Sequence, residues 1–177
     1  MKTKRDEIHL HSPGEGRPKN STQIISLGVG LVLIVLGLCG FLYPAFAGLH
    51  LGPLYAFSLF LSGILLTYNG YRNNSRDAFV TTLGFSIFYG IHALSGWIFG
   101  SFGLPTVGFQ NPDPHLIKII PGFHEMGRTD HILNTILTLI LAGGAFDWWR
   151  RSHSQKSVLR VVRDYFRDHR HQRPIRH

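Results

Sequence analysis

The sequence predicts an all-α protein, a four-helix transmembrane bundle. Three observations carry this. Four stretches of about twenty residues are almost free of charge, and a bilayer core of roughly 30 Å takes about 20 apolar helical residues. Sixteen of the eighteen Lys and Arg residues fall in the segments that alternate topology would place on one side. The segment between the third and fourth stretches holds Pro105, Pro112, Pro114 and Pro121, which bar a continuous helix there.

The spans read as about 24–43, 51–70, 78–100 and 131–149. The first is "IISLGVGLVLIVLGLCGFLY", with no charge. "AFA", 45–47, resembles a signal-peptidase site, but a signal core is shorter, about 7–15 residues, and its basic leader is brief. Here the run is longer and its leader contains acids, so it reads as an uncleaved span. Cys39 stands alone in it, which excludes an intramolecular disulfide and a cysteine metal cluster. The second stretch opens near Pro53, suited to a first helical turn. The third has Tyr89 and His92 as its only titratable groups, and the fourth ends in Asp147, Trp148 and Trp149, aromatic residues of the kind found at a membrane interface. Strands are disfavoured, because period-2 alternation is scarce and the runs exceed strand length. A soluble helical core would need charged outer faces, and these runs have none.

Orientation follows from the basic residues. Five precede the first span, two lie between the second and third, and nine follow the fourth. The positive-inside rule then puts both termini in the cytoplasm, with 101–130 as an outer loop. Residues 1–22 read as a flexible polar tail. Residues 151–177 read as a basic cytoplasmic tail whose amphipathic helix presents Arg160, Arg163, Arg167 and Arg170 to anionic lipid headgroups or a partner. The net charge of +8 fits an anionic surface. Nucleic acid is the weaker reading, because no aromatic residues are spare for stacking on bases.

Small residues recur along each span: Ser26, Gly30, Gly37 and Gly40; Ser58, Ser62 and Gly63; Gly96 and Gly100; and "AGGA", 142–145. In lipid such residues let helix backbones approach, so the spans are expected to pack together rather than stand as isolated anchors.

The densest polar cluster is "FHEMGRTDHILN", 123–134. Thr129 or Asp130 is placed to cap the fourth helix, and Asp130 suits the positive end of its dipole. His50, His92 and His131 all fall near the outer end, where they could share a haem or another cofactor. His124, Glu125, Asp130 and His131 supply donors of a kind that suits zinc or iron. No HxxxH, HExxH or CxxCH spacing accompanies them. Walker and nucleophile-elbow motifs are also missing. The expectation is therefore a non-enzymatic structural or accessory membrane subunit, packing against itself or a larger complex. The alternative is a small transporter, or a redox protein binding haem or zinc through these histidines.

The segment "GRTDHILNTILTLILAGG", together with "LGLCGFLYP", resembles a family of small bacterial four-helix integral membrane proteins of unknown function. The resemblance covers the helices only. It implies the four-span bundle and maps a Thr–Asp step and a short polar patch onto Thr129, Asp130, His131 and Asn134. The chain departs from that pattern at Ser58 and Ser62, where paired histidines are expected.

Overall fold

The computed structural model describes residues 20–72, 74–106, 108 and 111–170, with side chains to residue 154. The chain is mostly helical. It forms α1 (Ser21–Leu42), a 3-10 turn (Phe46–Gly48), α2 (Pro53–Tyr71), α3 (Ser75–Phe99), strands β1 (Ser101–Gly103), β2 (Asp113–Ile120) and β3 (His124–Met126), and α4 (Arg128–Arg170). The expectation for residues 1–19 and 171–177 lies outside the described residues.

Among the described residues, three helical stretches are long and apolar enough to cross a membrane: Ser21–Leu42, Ser75–Phe99 and Arg128–Ser154. The second expected span, α2, is 19 residues long and falls short on composition. Tyr55, Ser58, Ser62, Thr67, Tyr68 and Asn69 lower its mean hydropathy, and several of them face inward.

Local chemistry sets the helix ends. Asn20 caps α1 by accepting from the Gln23 N–H at 2.9 Å, and Gln23 Oε1 accepts from the Asn20 N–H at 3.0 Å, a reciprocal capping box. Pro53 occupies the first turn of α2, where its missing N–H costs nothing. Asn74 caps α3. The fourth helix continues without a break to Arg170. The expected basic surface helix is thus the continuation of α4 rather than a separate element; the side chains of Arg160, Arg163, Arg167 and Arg170 lie outside the described ones.

The segment 101–130 departs from the all-α expectation. It folds into a three-stranded antiparallel sheet in the order β1-β2-β3. Ile117 pairs with Met126 and Lys118 with Glu125. The Ile-rich "HLIKII" is β-branched enough to favour a strand. Pro114 sits where the β1–β2 register slips, a position a sheet tolerates for proline. Between β2 and β3, "PG" makes a tight turn: Gly122 has φ +76°, and the Phe123 N–H donates to Ile120 O at 3.0 Å.

The helices form two hairpins with a shared core of Leu33, Tyr55, Leu59, Leu66, Tyr89 and Leu141. Helices α1 and α2 touch backbone to backbone. A Cβ on Gly30 would come within 2.8 Å of Gly63 O, and one on Gly63 would come within 2.8 Å of Gly30 O. Gly37 meets Phe60 N (2.7 Å) in the same way. Ser26 Oγ adds a hydrogen bond to Leu66 O at 2.8 Å. The other hairpin is ringed by aromatics, with Phe79 stacked on Trp148 at 4.2 Å between ring centroids.

Gly30→Val and Gly63→Val should each destabilise the detergent-solubilised protein by about 1–3 kcal/mol, the usual range for overpacking. Gly84→Val, where a Cβ meets nothing within 4 Å, should leave the thermal midpoint near that of the parent. Intrinsic fluorescence against temperature reads both.

Candidate functional site at the sheet end of the bundle

Three carboxylates are buried where the sheet meets the helices. Each is taken up mainly by backbone N–H groups of this chain. Asp130, fully buried, accepts from the Gly127 N–H at 2.7 Å and from the His50 N–H at 3.1 and 3.2 Å. Its Oδ2 also lies 3.4 Å from His50 Nδ1. Asp113 accepts from the Arg128 N–H at 2.9 and 3.1 Å and from the His115 N–H at 2.8 Å. Glu125 accepts from the Thr106 N–H at 2.6 Å and the Gly122 N–H at 2.9 Å, with Lys118 Nζ 3.8 Å away. Hydrogen bonds to a carboxylate are roughly twice as strong as neutral ones, so they hold the sheet, the α1–α2 turn and the start of α4 together.

Asp113, Asp130 and His50 converge on Gly127. A Cβ there would lie 2.5 Å from Asp113 Oδ2 and 2.6 Å from His50 Nδ1. Only glycine lets two carboxylates and an imidazole close around this point. The helix begins one residue later, at Arg128. Thr129 and Asp130 therefore lie in the first turn rather than at the cap position. Asp130 still serves an opening N–H, reaching back to Gly127, whereas Thr129 Oγ1 donates to Gly48 O at 2.5 Å.

The histidines take separate places. His50 sits against Asp130; hydrogen bonding to that carboxylate raises its pKa against the opposing effect of burial, and the charges of Asp130, Asp113 and Glu125 add to the rise. The His92 Nδ1–H donates to Phe88 O one turn back at 2.9 Å, and its ring centroid lies 6.1 Å from that of His124. Burial, followed by the neighbouring His92, lowers the pKa of His124. The His131 Nε2–H donates to His115 O at 2.8 Å, which fixes its tautomer. The other edge of its ring lies on Gly96, where a Cβ would fall 2.0 Å from Nδ1. His50, His92 and His131 thus share one end of the bundle but face different partners. The set His124, Glu125, Asp130 and His131 is dispersed in the same way. Among the described residues, no three His, Cys, Asp or Glu side chains form a group that could hold a metal ion.

Below the carboxylates the interior stays polar. The Tyr55 hydroxyl donates to Asn134 Oδ1 at 2.9 Å. Tyr89 shares a hydrogen bond with Ser62. Ser86 Oγ donates to Thr138 O at 3.1 Å. Thr22, at the far end, donates to Gly144 O at 2.7 Å.

Asp113 and Tyr55 are the structural participants that sequence reasoning did not single out. "NPDP" looks like turn chemistry, yet its acid stands in a loop with few others. Tyr55 lies inside an apolar run, and its hydroxyl was the only hint of a buried partner. No family model, curated protein or solved structure matches this chain.

Asp130→Ala leaves the Gly127 and His50 N–H groups buried without an acceptor. It should cost about 3 kcal/mol or more, read as a fall in thermal midpoint with the sheet end losing hydrogen-exchange protection first. The pH dependence has two limbs. His50, with its raised pKa, contributes stability that is complete below its unfolded value of 6.5 and fades as pH rises through the folded value. His124, with its lowered pKa, contributes stability that is complete above 6.5 and fades as pH falls through the folded value. Midpoints recorded from about pH 5 to about pH 8 should fall on both sides. His50→Gln should remove the alkaline limb and His124→Gln the acid limb.

Proposed function

We propose that this chain is a non-enzymatic integral membrane protein of a bacterial inner membrane. In this reading four spans, α2 included, cross the bilayer with both ends cytoplasmic, and the protein acts as a structural or accessory subunit that packs against itself or a larger membrane complex. The observation that carries the reading is the division between the bundle's two surfaces. The outward residues are apolar along α1 (Leu31, Val35, Leu38), α3 (Ile87, Ile91, Leu94) and α4 (Ile136, Leu139), while Ser26, Ser62, Thr82, Asp130 and Asn134 are buried. Such a surface suits hydrocarbon or the side of another membrane helix. The carboxylates at the sheet end are engaged with the chain's own backbone, which supports a scaffold role for them. The resemblance to small bacterial four-helix membrane proteins supports the four-span part of this reading.

A second reading, a small transporter or proton relay, is favoured by the polar file from Asp130 through Asn134 and Tyr55 toward Tyr89 and Ser62. Buried polar groups inside a membrane commonly mark such paths. A haem- or zinc-binding redox protein is the variant that uses His50, His92 and His131.

Three measurements on the full chain separate these readings. Membranes washed with alkaline carbonate should retain the protein; release into the supernatant overturns the membrane assignment. Purification in mild detergent should bring down a stoichiometric partner subunit, or a homo-oligomer by native mass spectrometry. A monomer that instead shows a Soret band, stoichiometric zinc, or proton flux in vesicles abolished by Asp130→Asn and Tyr55→Phe overturns the accessory role.

A further inference from the structure

Near the end of the bundle where α3 begins, the surface between α3 and α4 carries an open groove. It is lined by Phe79, Leu83, Ala142, Ala145, Phe146 and Trp149, apolar side chains throughout. Small residues keep it open: Ala142 and Ala145 form part of its α4 wall, and a Cβ added to the adjacent Gly143 meets nothing within 4 Å. The floor is firm, because Phe79 stacks on Trp148.

The rim of this groove is basic. On α3, Arg76 lies three and seven residues before Phe79 and Leu83, so the three share a helix face, and Arg76 is exposed. On α4, Arg150 and His153 follow the groove residues Phe146 and Trp149 by four. The His153 ring lies 4.6 Å from the Trp149 ring. The Arg150 side chain is 68% exposed and forms an ion pair with Asp147 at 3.5 Å. That acid is held more closely by Arg151, at 3.0 Å, and Arg151 is further tied to Ser21 Oγ at 3.1 Å. Asp77 in the first turn of α3 is one position, about a quarter-turn, around from Arg76. Two exposed guanidinium groups and an exposed imidazole thus stand at one end of an open apolar groove.

We infer that this groove is a binding site for one acyl chain of an anionic phospholipid, with the headgroup phosphate held by Arg76 and Arg150. The inference rests on the membrane reading above and adds to it a defined lipid site. The charge pattern selects the occupant. A neighbouring apolar helix would gain nothing from the arginines, whereas a phosphate meets them as the tail fills the channel, at roughly 1 kcal/mol, or about five-fold in affinity, for each basic residue near the surface.

The test uses the full chain in vesicles, carrying Trp97→Phe so that the fluorescence comes from Trp148 and Trp149. Phosphatidylcholine vesicles receive equal mole fractions of brominated phosphatidylglycerol or brominated phosphatidylcholine. The anionic lipid should quench several-fold more strongly at low mole fraction. Arg76→Gln with Arg150→Gln, both at exposed positions, should bring the two lipids level. Ala142→Phe, which fills the groove, should weaken quenching by both. Equal quenching in the parent, or a preference that survives loss of both arginines, overturns the inference while the membrane reading stands. An Ala142→Phe variant that changes oligomeric state with quenching intact also overturns it and assigns the groove to a second copy. A chain that fails to enter vesicles overturns the membrane reading and the lipid site together.

Discussion

A carboxylate fully removed from solvent is the constraint on which the sheet end of this protein is organised. Asp130 has no exposure, and desolvating an unpaired charge costs several kcal/mol. Its oxygens must find donors, and they take N–H groups from Gly127 and His50. One of those donors lies three residues before Asp130 and the other eighty residues before it. One side chain therefore sets the entry of α4 against the connection between α1 and α2. Asp113 repeats the device from β2 to the first residue of α4, and Glu125 uses it within the sheet. The sheet would otherwise be a short, marginal structure. Here its own acids bind it to the helices.

The helices solve a different problem. With apolar surface both outside and between them, burial of hydrophobic area does not decide which faces meet. Close approach and internal hydrogen bonds do. Gly30 against Gly63 and Gly37 against Phe60 bring α1 and α2 into backbone contact. Helices α3 and α4 are joined by larger pieces: Phe79 on Trp148, the His131 ring on Gly96, and Ser86 bonded to Thr138 O. The small-residue stripes were legible before the structure, but not which of them would be used. Gly143, within the same "AGGA" motif as Gly144, meets nothing, while Gly144 packs on Ile25.

The four helical stretches could be read from charge-free length, and three of them keep a composition suited to crossing a membrane. The remaining one, α2, owes its lower hydropathy to tyrosines, serines, a threonine and an asparagine within an apolar run, and several of these are interior partners. The sheet was missed because strand pairing is non-local. "HLIKII" acquires its meaning only from "HEM" and "SFG", and neither triplet signals a strand alone. Chain direction alternates from helix to helix, which brings His50, His92 and His131 to one end of the bundle. Their separation was not readable, because it depends on rotation about each helix axis: a shift of one residue turns a side chain by about 100°. Asp113 shows the same limit, since an acid between prolines reveals nothing of the N–H groups brought to it.

The unbroken course of α4 has a mechanical consequence. Its 43 residues span about 64 Å at 1.5 Å per residue, roughly twice the hydrocarbon thickness of a bilayer. One rod thus runs from the Asp130 anchorage to the far side of the bundle and well beyond it. On a lever of that length, each degree of tilt at the anchored end sweeps the tip through about 1 Å. A small rearrangement around Gly127 would reach the far end of α4 amplified, with no intermediary needed to carry it.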